Sequence, residues 1–165
     1  MSTQASVRPA VVDDLPEILR LVHDLAEYER SADAVVATPV DFRRALFPDS
    51  GTPAASCLVA ELDGRVAGIA LWFLSFSTWT GRQGIWLEDL YVEPEHRGAG
   101  LGSALLSALV RTAAENGWSR VEWTVLDWNA PSISFYRSLG ALPQDEWTTY
   151  RLEGETLAQL AGRRG

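Results

Sequence analysis

The stretch His96-Arg-Gly-Ala-Gly-Leu-Gly102 sets three glycines in five positions after an arginine and then runs into alanines and leucines that favour a helix. Glycines at such a turn let successive backbone N–H groups converge on an anion with no Cβ in the way, and a helix N-terminus adds about half a positive charge. A mononucleotide loop of the form Gly-x4-Gly-Lys-Ser/Thr lacks its lysine here. A dinucleotide fingerprint would need glycine where Ser103 stands, and it would sit in a first βαβ unit rather than past mid-chain. What remains is a nest the size of a pyrophosphate, formed by Arg97, Gly98, Ala99, Gly100, Leu101, Gly102 and Ser103. A ligand-free glycine connector is the competing reading. A second feature precedes the turn: Glu88 and Asp89 are neighbours on one predicted strand, so regular alternation sends their side chains to opposite faces and leaves one of them for any given pocket.

Composition narrows the function classes. The chain has 165 residues, is 47% hydrophobic and carries a net charge of −8 spread along its length, which suits one domain, residues 1–165, with a substantial core. An acidic surface repels phosphate backbones and anionic lipid, so neither nucleic acid nor membrane is an expected partner. Cys57, the one cysteine, lies in the apolar run Ser-Cys-Leu-Val-Ala-Glu-Leu and reads as a buried structural thiol, so neither a disulfide framework nor a cysteine-based zinc site can be built, and no metal is expected. No basic-then-apolar leader and no apolar run near ~20 residues is present, which makes a cytoplasmic location the expectation.

The elements that must position these groups follow from hydrophobic period and breakers. Residues 5–10 read as a first strand. Leu15, Ile18, Leu21, Val22 and Leu25 recur at the helical period, predicting a helix from Asp13 to about Arg30 with Asp13 or Asp14 as its cap. Thr38 and Pro39 open a second helix with Val40, Leu46 and Phe47 inward. Asp63-Gly64 between two apolar runs signals a tight hairpin, and strands at residues 56–62, 65–76 and 85–94 form an antiparallel meander. Past the glycine turn, a helix with Leu101, Leu105, Ala108, Leu109 and Thr112 or Ala113 inward is closed by Asn116-Gly117. A strand at 119–127, a short helix capped by Asn129, a last strand at 146–154 and a final helical turn complete an α/β domain.

The run from Arg97 to Gly102 resembles the Arg/Gln-x-x-Gly-x-Gly/Ala signature of the GNAT acetyltransferases. The likeness widens in Trp86-Leu-Glu-Asp-Leu-Tyr-Val-Glu-Pro-Glu-His-Arg-Gly-Ala-Gly-Leu-Gly-Ser-Ala-Leu-Leu106, in Asp127-Trp-Asn-Ala-Pro-Ser-Ile-Ser-Phe-Tyr136 and in the N-terminal run from Val7 to Arg30, all of which are similar to the diamine (spermidine/spermine) and thialysine acetyltransferase branch. That resemblance implies the GNAT fold, a mixed, mostly antiparallel sheet flanked by helices. It also implies acetyl-CoA as co-substrate, a small cationic amine as acceptor, direct attack in a ternary complex, and a homodimer. It places the pyrophosphate on the nest named above and the pantetheine arm along the backbone of Leu90, Tyr91 and Val92. Asn129 and Ser132 correspond to cofactor contacts, although helix capping alone would account for both. Glu88 corresponds to the residue that holds the amine and accepts its proton, and Tyr136 to the general acid that protonates the departing thiolate, a role open to a phenol at neutral pH. Tyr28 and Glu29 match the family's Tyr-Glu pair on the amine side. Trp79 and Trp123 are candidate channel walls by cation–π attraction, or plain packing residues.

Two departures bear on the acceptor. Where the diamine branch carries an acid just before its last strand this chain has Thr148, with Asp145 and Glu146 slightly upstream, and Glu122 is an acid that the branch does not require. Polyamines, lysine-like amines and amine antibiotics therefore stay open as acceptors. So do a protein amine and a non-catalytic acyl-CoA-binding module.

Overall fold

The computed structural model describes residues 5–162, which fall into two compact units joined between Leu126 and Asp127. The first unit holds a five-stranded sheet in the order β1 (Ala5–Pro9), β2 (Ser56–Leu62), β3 (Arg65–Ser77), β4 (Arg82–Val92) and β5 (Val121–Glu122). The first four strands pair antiparallel and β5 runs parallel to β4. The expected mixed, mostly antiparallel α/β sheet is therefore present. Asp63 and Gly64 both have positive φ, as a two-residue turn of the predicted type requires, and they pair Leu62 with Arg65 and Glu61 with Val66, beyond which the β2–β3 register shifts by one residue.

Helix α1 (Leu15–Tyr28) and helix α2 (Pro39–Leu46) supply one cover of the sheet. Ile18, Leu21 and Leu25 of α1 and Leu46 of α2 cluster with Cys57, Val59, Ile69, Leu71 and Tyr91. Helix α3 (Leu101–Glu115) buries Leu101, Leu105, Leu106, Leu109 and Ala113. Its Leu105 lies beside Gly68, which alternates with Ile69 and so belongs to the opposite face. Leu106 replaces Ala108 among the expected inward residues, and in α2 Phe42 packs on the core whereas Val40 is exposed. The Thr38 cap of α2 is reciprocal: its hydroxyl accepts from the Asp41 N–H, and the Asp41 carboxylate accepts from the Thr38 N–H.

Asp14 does not cap α1 with its side chain. It accepts from the Val11 N–H at 2.7 Å and from both terminal nitrogens of Arg8, whose Nη2 also reaches Glu61 at 2.6 Å. The start of α1 is thereby tied to β1 and β2, and Arg8 holds the Asp14 carboxyl below the ordinary carboxylate range.

Two expected strands differ. The strand foreseen at 119–127 contracts to Val121–Glu122, and residues 146–154 contribute none, with Trp147 and Tyr150 largely exposed. Their β-forming side chains favour a strand only where a neighbour offers a ladder and a face to cover. The second unit contains α4 (Ala130–Ser138) and α5 (Gly154–Gly162).

Candidate active site

Across the β3–β4 pair, Leu71 faces Asp89 but the next residue, Trp72, faces Leu87. Glu88 is the extra residue of a β-bulge. The registers on either side define where its neighbours point: Ile69, Leu71 and Phe73 alternate along one face of β3, and their partners are Tyr91, Asp89 and Trp86. Trp86 is two residues from Glu88 and its Nε1–H donates to Glu88 Oε2 at 3.0 Å. Glu88 and Asp89 therefore share the face covered by α1, and the expected division between opposite faces is overturned by the bulge, whose effect is to re-aim a side chain.

Glu29, one residue beyond α1, completes a group of three acids. Asp89 is pushed up from its ordinary value of 3.8 to about 6, first by burial and then by the negative charges of Glu88 and Glu29. Burial also raises Glu29. The Cys57 thiol, buried among the core residues as expected, is pushed up to about 12 by burial, with Asp14 and Asp89 adding to the shift. Two desolvated carboxylates, Asp89 and Glu29, beside the exposed Glu88 attract a cation, and Asp89 supplies a carboxyl more basic than usual. Asp89 is the member that reasoning from alternation passed over. Nothing local to residues 86–90 marks a bulge, because the extra residue is defined by β3.

The second half of the unit's site starts where β4 loses its outer neighbour. Strand β5 pairs only with Ile85 and Trp86, so among the described residues no strand covers β4 from Leu87 onward. The Glu93 N–H bonds Ala67 C=O, which by antiparallel alternation turns the backbone groups of Tyr91 toward β3 and those of Leu90 and Val92 toward the uncovered edge. Gly84 permits the approach of β5: a Cβ there would lie 2.9 Å from the Arg120 carbonyl oxygen.

After β4, a single turn of 3-10 helix at Pro94–His96 leads to Arg97 and the glycine turn. Gly98 and Gly100 have φ of +87° and +81°, and Gly100 leads directly into α3 with no side-chain cap. The first intrahelical bond is Ala104 N–H to Gly100 C=O, so the amides of Leu101, Gly102 and Ser103 lie in the donor-rich first turn. Arg97 Nε donates to Val92 C=O at 3.0 Å, and its guanidinium lies 4.9 Å from the Tyr28 ring centroid and 5.4 Å from that of Tyr91. These features fit a pyrophosphate with a thioester arm beside it: donors converge at the helix start, and strand amides are open next to them. Below the turn, buried Glu93 takes Arg20 at 2.6 Å and Arg65 at 3.1 Å on one oxygen. Glu93, Glu95 and His96 bring ligand-type atoms within 4.8 Å of one another, but the two guanidiniums already neutralise the buried carboxylate of that cluster.

A model of the acetyltransferase (GNAT) family matches residues 19–141. The chain belongs to the GNAT acetyltransferase family. It is accordingly an acyltransferase of a family that uses acetyl-CoA as co-substrate, and it transfers acetyl to an amine. It is 39% identical to a thialysine N-epsilon-acetyltransferase of Bos taurus, over 95% of this chain and 97% of that protein. It is 33% identical to the spermidine/spermine N(1)-acetyltransferase-like protein 1 of Homo sapiens, over 94% of this chain and 23% of that protein. Among solved structures, an integron cassette protein from the V. cholerae mobile metagenome superposes with a TM-score of 0.81 at 24% identity, covering 98% of this chain and all of that one.

Of the residues singled out in the GNAT motifs, Tyr28, Glu29, Glu88, Leu90, Tyr91, Val92 and the Arg97–Ser103 turn lie in the first unit. Trp123 is half-buried just past β5. Trp79 is 85% exposed in the turn after β3, seven residues beyond Trp72. Asn129, Ser132 and Tyr136 lie in the second unit on and before α4, where Asn129 Oδ1 accepts the Ser132 N–H at 3.3 Å and acts as the helix cap. Tyr136 is half-buried and its ring centroid is 5.4 Å from that of Phe135.

Asp89 links this site to folding. Its raised native value means that the native state is favoured fully below the unfolded-state value and loses that advantage as pH rises through about 6. In chemical denaturation, Asp89→Asn should gain on the wild type between pH 4 and pH 7 by on the order of 2 kcal/mol, a difference constant with pH being the contrary result.

Proposed function

We propose that the chain acetylates the primary amine of a small cation, a polyamine or a thialysine- or lysine-like amine, by direct attack in a ternary complex. The observation that carries this reading is the group of three acids, Glu29, Glu88 and Asp89, gathered by the bulge beside the open edge of β4. Bound acetyl-CoA supplies an acyl thioester, held on the Arg97–Ser103 turn and along Leu90–Val92, with Asn129 and Ser132 as further contacts. Glu88 and Glu29 attract the ammonium, with Tyr28 and Trp123 beside them. A free alkylammonium titrates near ~10.4 and must lose a proton before it can attack. The Glu88–Asp89 pair takes that proton, Glu88 as the group in contact and Asp89 as the more basic member. Tyr136 delivers a proton to the departing sulfur.

The relatives that act on thialysine and the one named for spermidine and spermine support the choice of acceptor. The family match crosses the junction at Leu126 and supports reading residues 1–165 as one catalytic domain. The resemblance to that branch further supports a cytoplasmic homodimer. The negative net charge disfavours nucleic acid as a partner.

Thiol release from acetyl-CoA, measured against spermidine, spermine, thialysine, lysine, an aminoglycoside and a short peptide, should show turnover with a polyamine or a lysine-like amine. Bound acetyl-CoA with no turnover on any of them would make the chain an acyl-CoA-binding module. With the active amine, kcat/KM should rise through pH about 6, and Asp89→Asn should lower it by about a hundredfold or more, roughly the scale of one proton-transfer group, and remove that limb. A limb unchanged in Asp89→Asn would leave Glu88 as the acceptor alone. Tyr136→Phe should depress kcat while acetyl-CoA affinity stays nearly intact, and equal loss of both would assign Tyr136 to packing.

A further inference from the structure

Arg97 is held on three sides. Its Nε is committed to the Val92 carbonyl at 3.0 Å, and its guanidinium carbon lies over the rings of Tyr28 and Tyr91, 4.9 and 5.4 Å from their centroids. Among the described residues its two terminal nitrogens make no hydrogen bond or ion pair. A guanidinium fixed at one nitrogen and set over two rings presents the rest of its fork in a set direction, which is the geometry that phosphate oxygens accept. Tyr91 belongs to the same strand as Val92, so two of the three restraints come from β4. The third comes from the last residue of α1, adjacent to Glu29 on the amine side of the site.

We propose that Tyr28 is a positioning residue for Arg97 and that this stack couples the two substrates. Pyrophosphate bound to Arg97 holds the guanidinium where its face meets Tyr28, and that contact holds the end of α1 where Glu29 meets the amine. An amine that orders Tyr28 and Glu29 likewise steadies Arg97 before the cofactor arrives. Each substrate favours the same arrangement of the same pair, so each tightens binding of the other, and the factor must be equal in both directions. Tyr28 has this role only where Arg97 binds the pyrophosphate, as proposed above.

Calorimetry with CoA and thialysine, a pair that binds without turnover, tests the coupling. In the wild type, saturating thialysine should raise CoA affinity roughly two- to fivefold, the scale of one cation–π contact, and saturating CoA should raise thialysine affinity by the same factor. Tyr28→Leu should weaken CoA binding alone by a similar factor and bring the coupling close to one. Tyr28→Phe, which keeps the ring face, should retain both. A coupling factor in Tyr28→Leu equal to that of the wild type would overturn the proposal. So would a Tyr28→Phe variant as impaired as Tyr28→Leu, since that result assigns the effect to the hydroxyl. If the wild type binds no thialysine, the assignment of acceptor fails on its own, and CoA affinity still decides the stack: equal values for Tyr28→Leu and Tyr28→Phe reject it.

Discussion

One surplus residue in β4 governs the chemistry of the first unit. A regular strand would send Glu88 and Asp89 to opposite faces, leaving one carboxylate toward α1 and the other toward α3. The bulge turns both toward the α1 face, Asp89 half-buried and Glu88 exposed, with Glu29 just past the helix end. Burying Asp89 and setting the negative charges of Glu88 and Glu29 beside it are both unfavourable, and the cost appears as its raised value. That cost is what gives the site its affinity for a cation and its readiness to hold a proton.

The bulge works only because its surroundings are rigid. Leu21 and Leu25 fix α1 on Val59, Ile69 and Leu71, and ion pairs secure the start and the middle of that helix. Arg8 joins β1 to Asp14 and Glu61, while Arg20 in mid-helix reaches buried Glu93 just after β4. Removing one partner of such a buried pair leaves a charge uncompensated, so the pairs act as constraints on position more than as a source of net stability. Through Glu93, the strand that carries the carboxylates and the turn that cradles the anion are registered against the same helix.

Much of this was readable from residue types. The Asp63-Gly64 turn, the Thr38 cap, the α1 period and the glycine turn are local devices whose mechanism lies within a few residues, and each is found where its residues call for it. The bulge was not readable. It is a mismatch between two strands, and neither sequence carries the marker that a glycine-type bulge would. The stacking of Arg97 on Tyr28 was equally hidden, since 69 residues separate the two and only the β4–α1 packing brings them together. The strand foreseen at 146–154 misled for the converse reason: aromatic and β-branched residues were present, and a ladder was not.

The most direct test is a carbon-detected NMR titration of the Asp89 carboxyl in the wild type and in Glu88→Gln. Burial of Asp89 with Glu88 on the same face predicts titration at about 6 in the wild type and a downward shift once the Glu88 charge is removed, with burial still holding the value above the ordinary range. Titration near ~3.9 in the wild type, or a value indifferent to Glu88→Gln, would contradict the shared face from which the rest of the account follows.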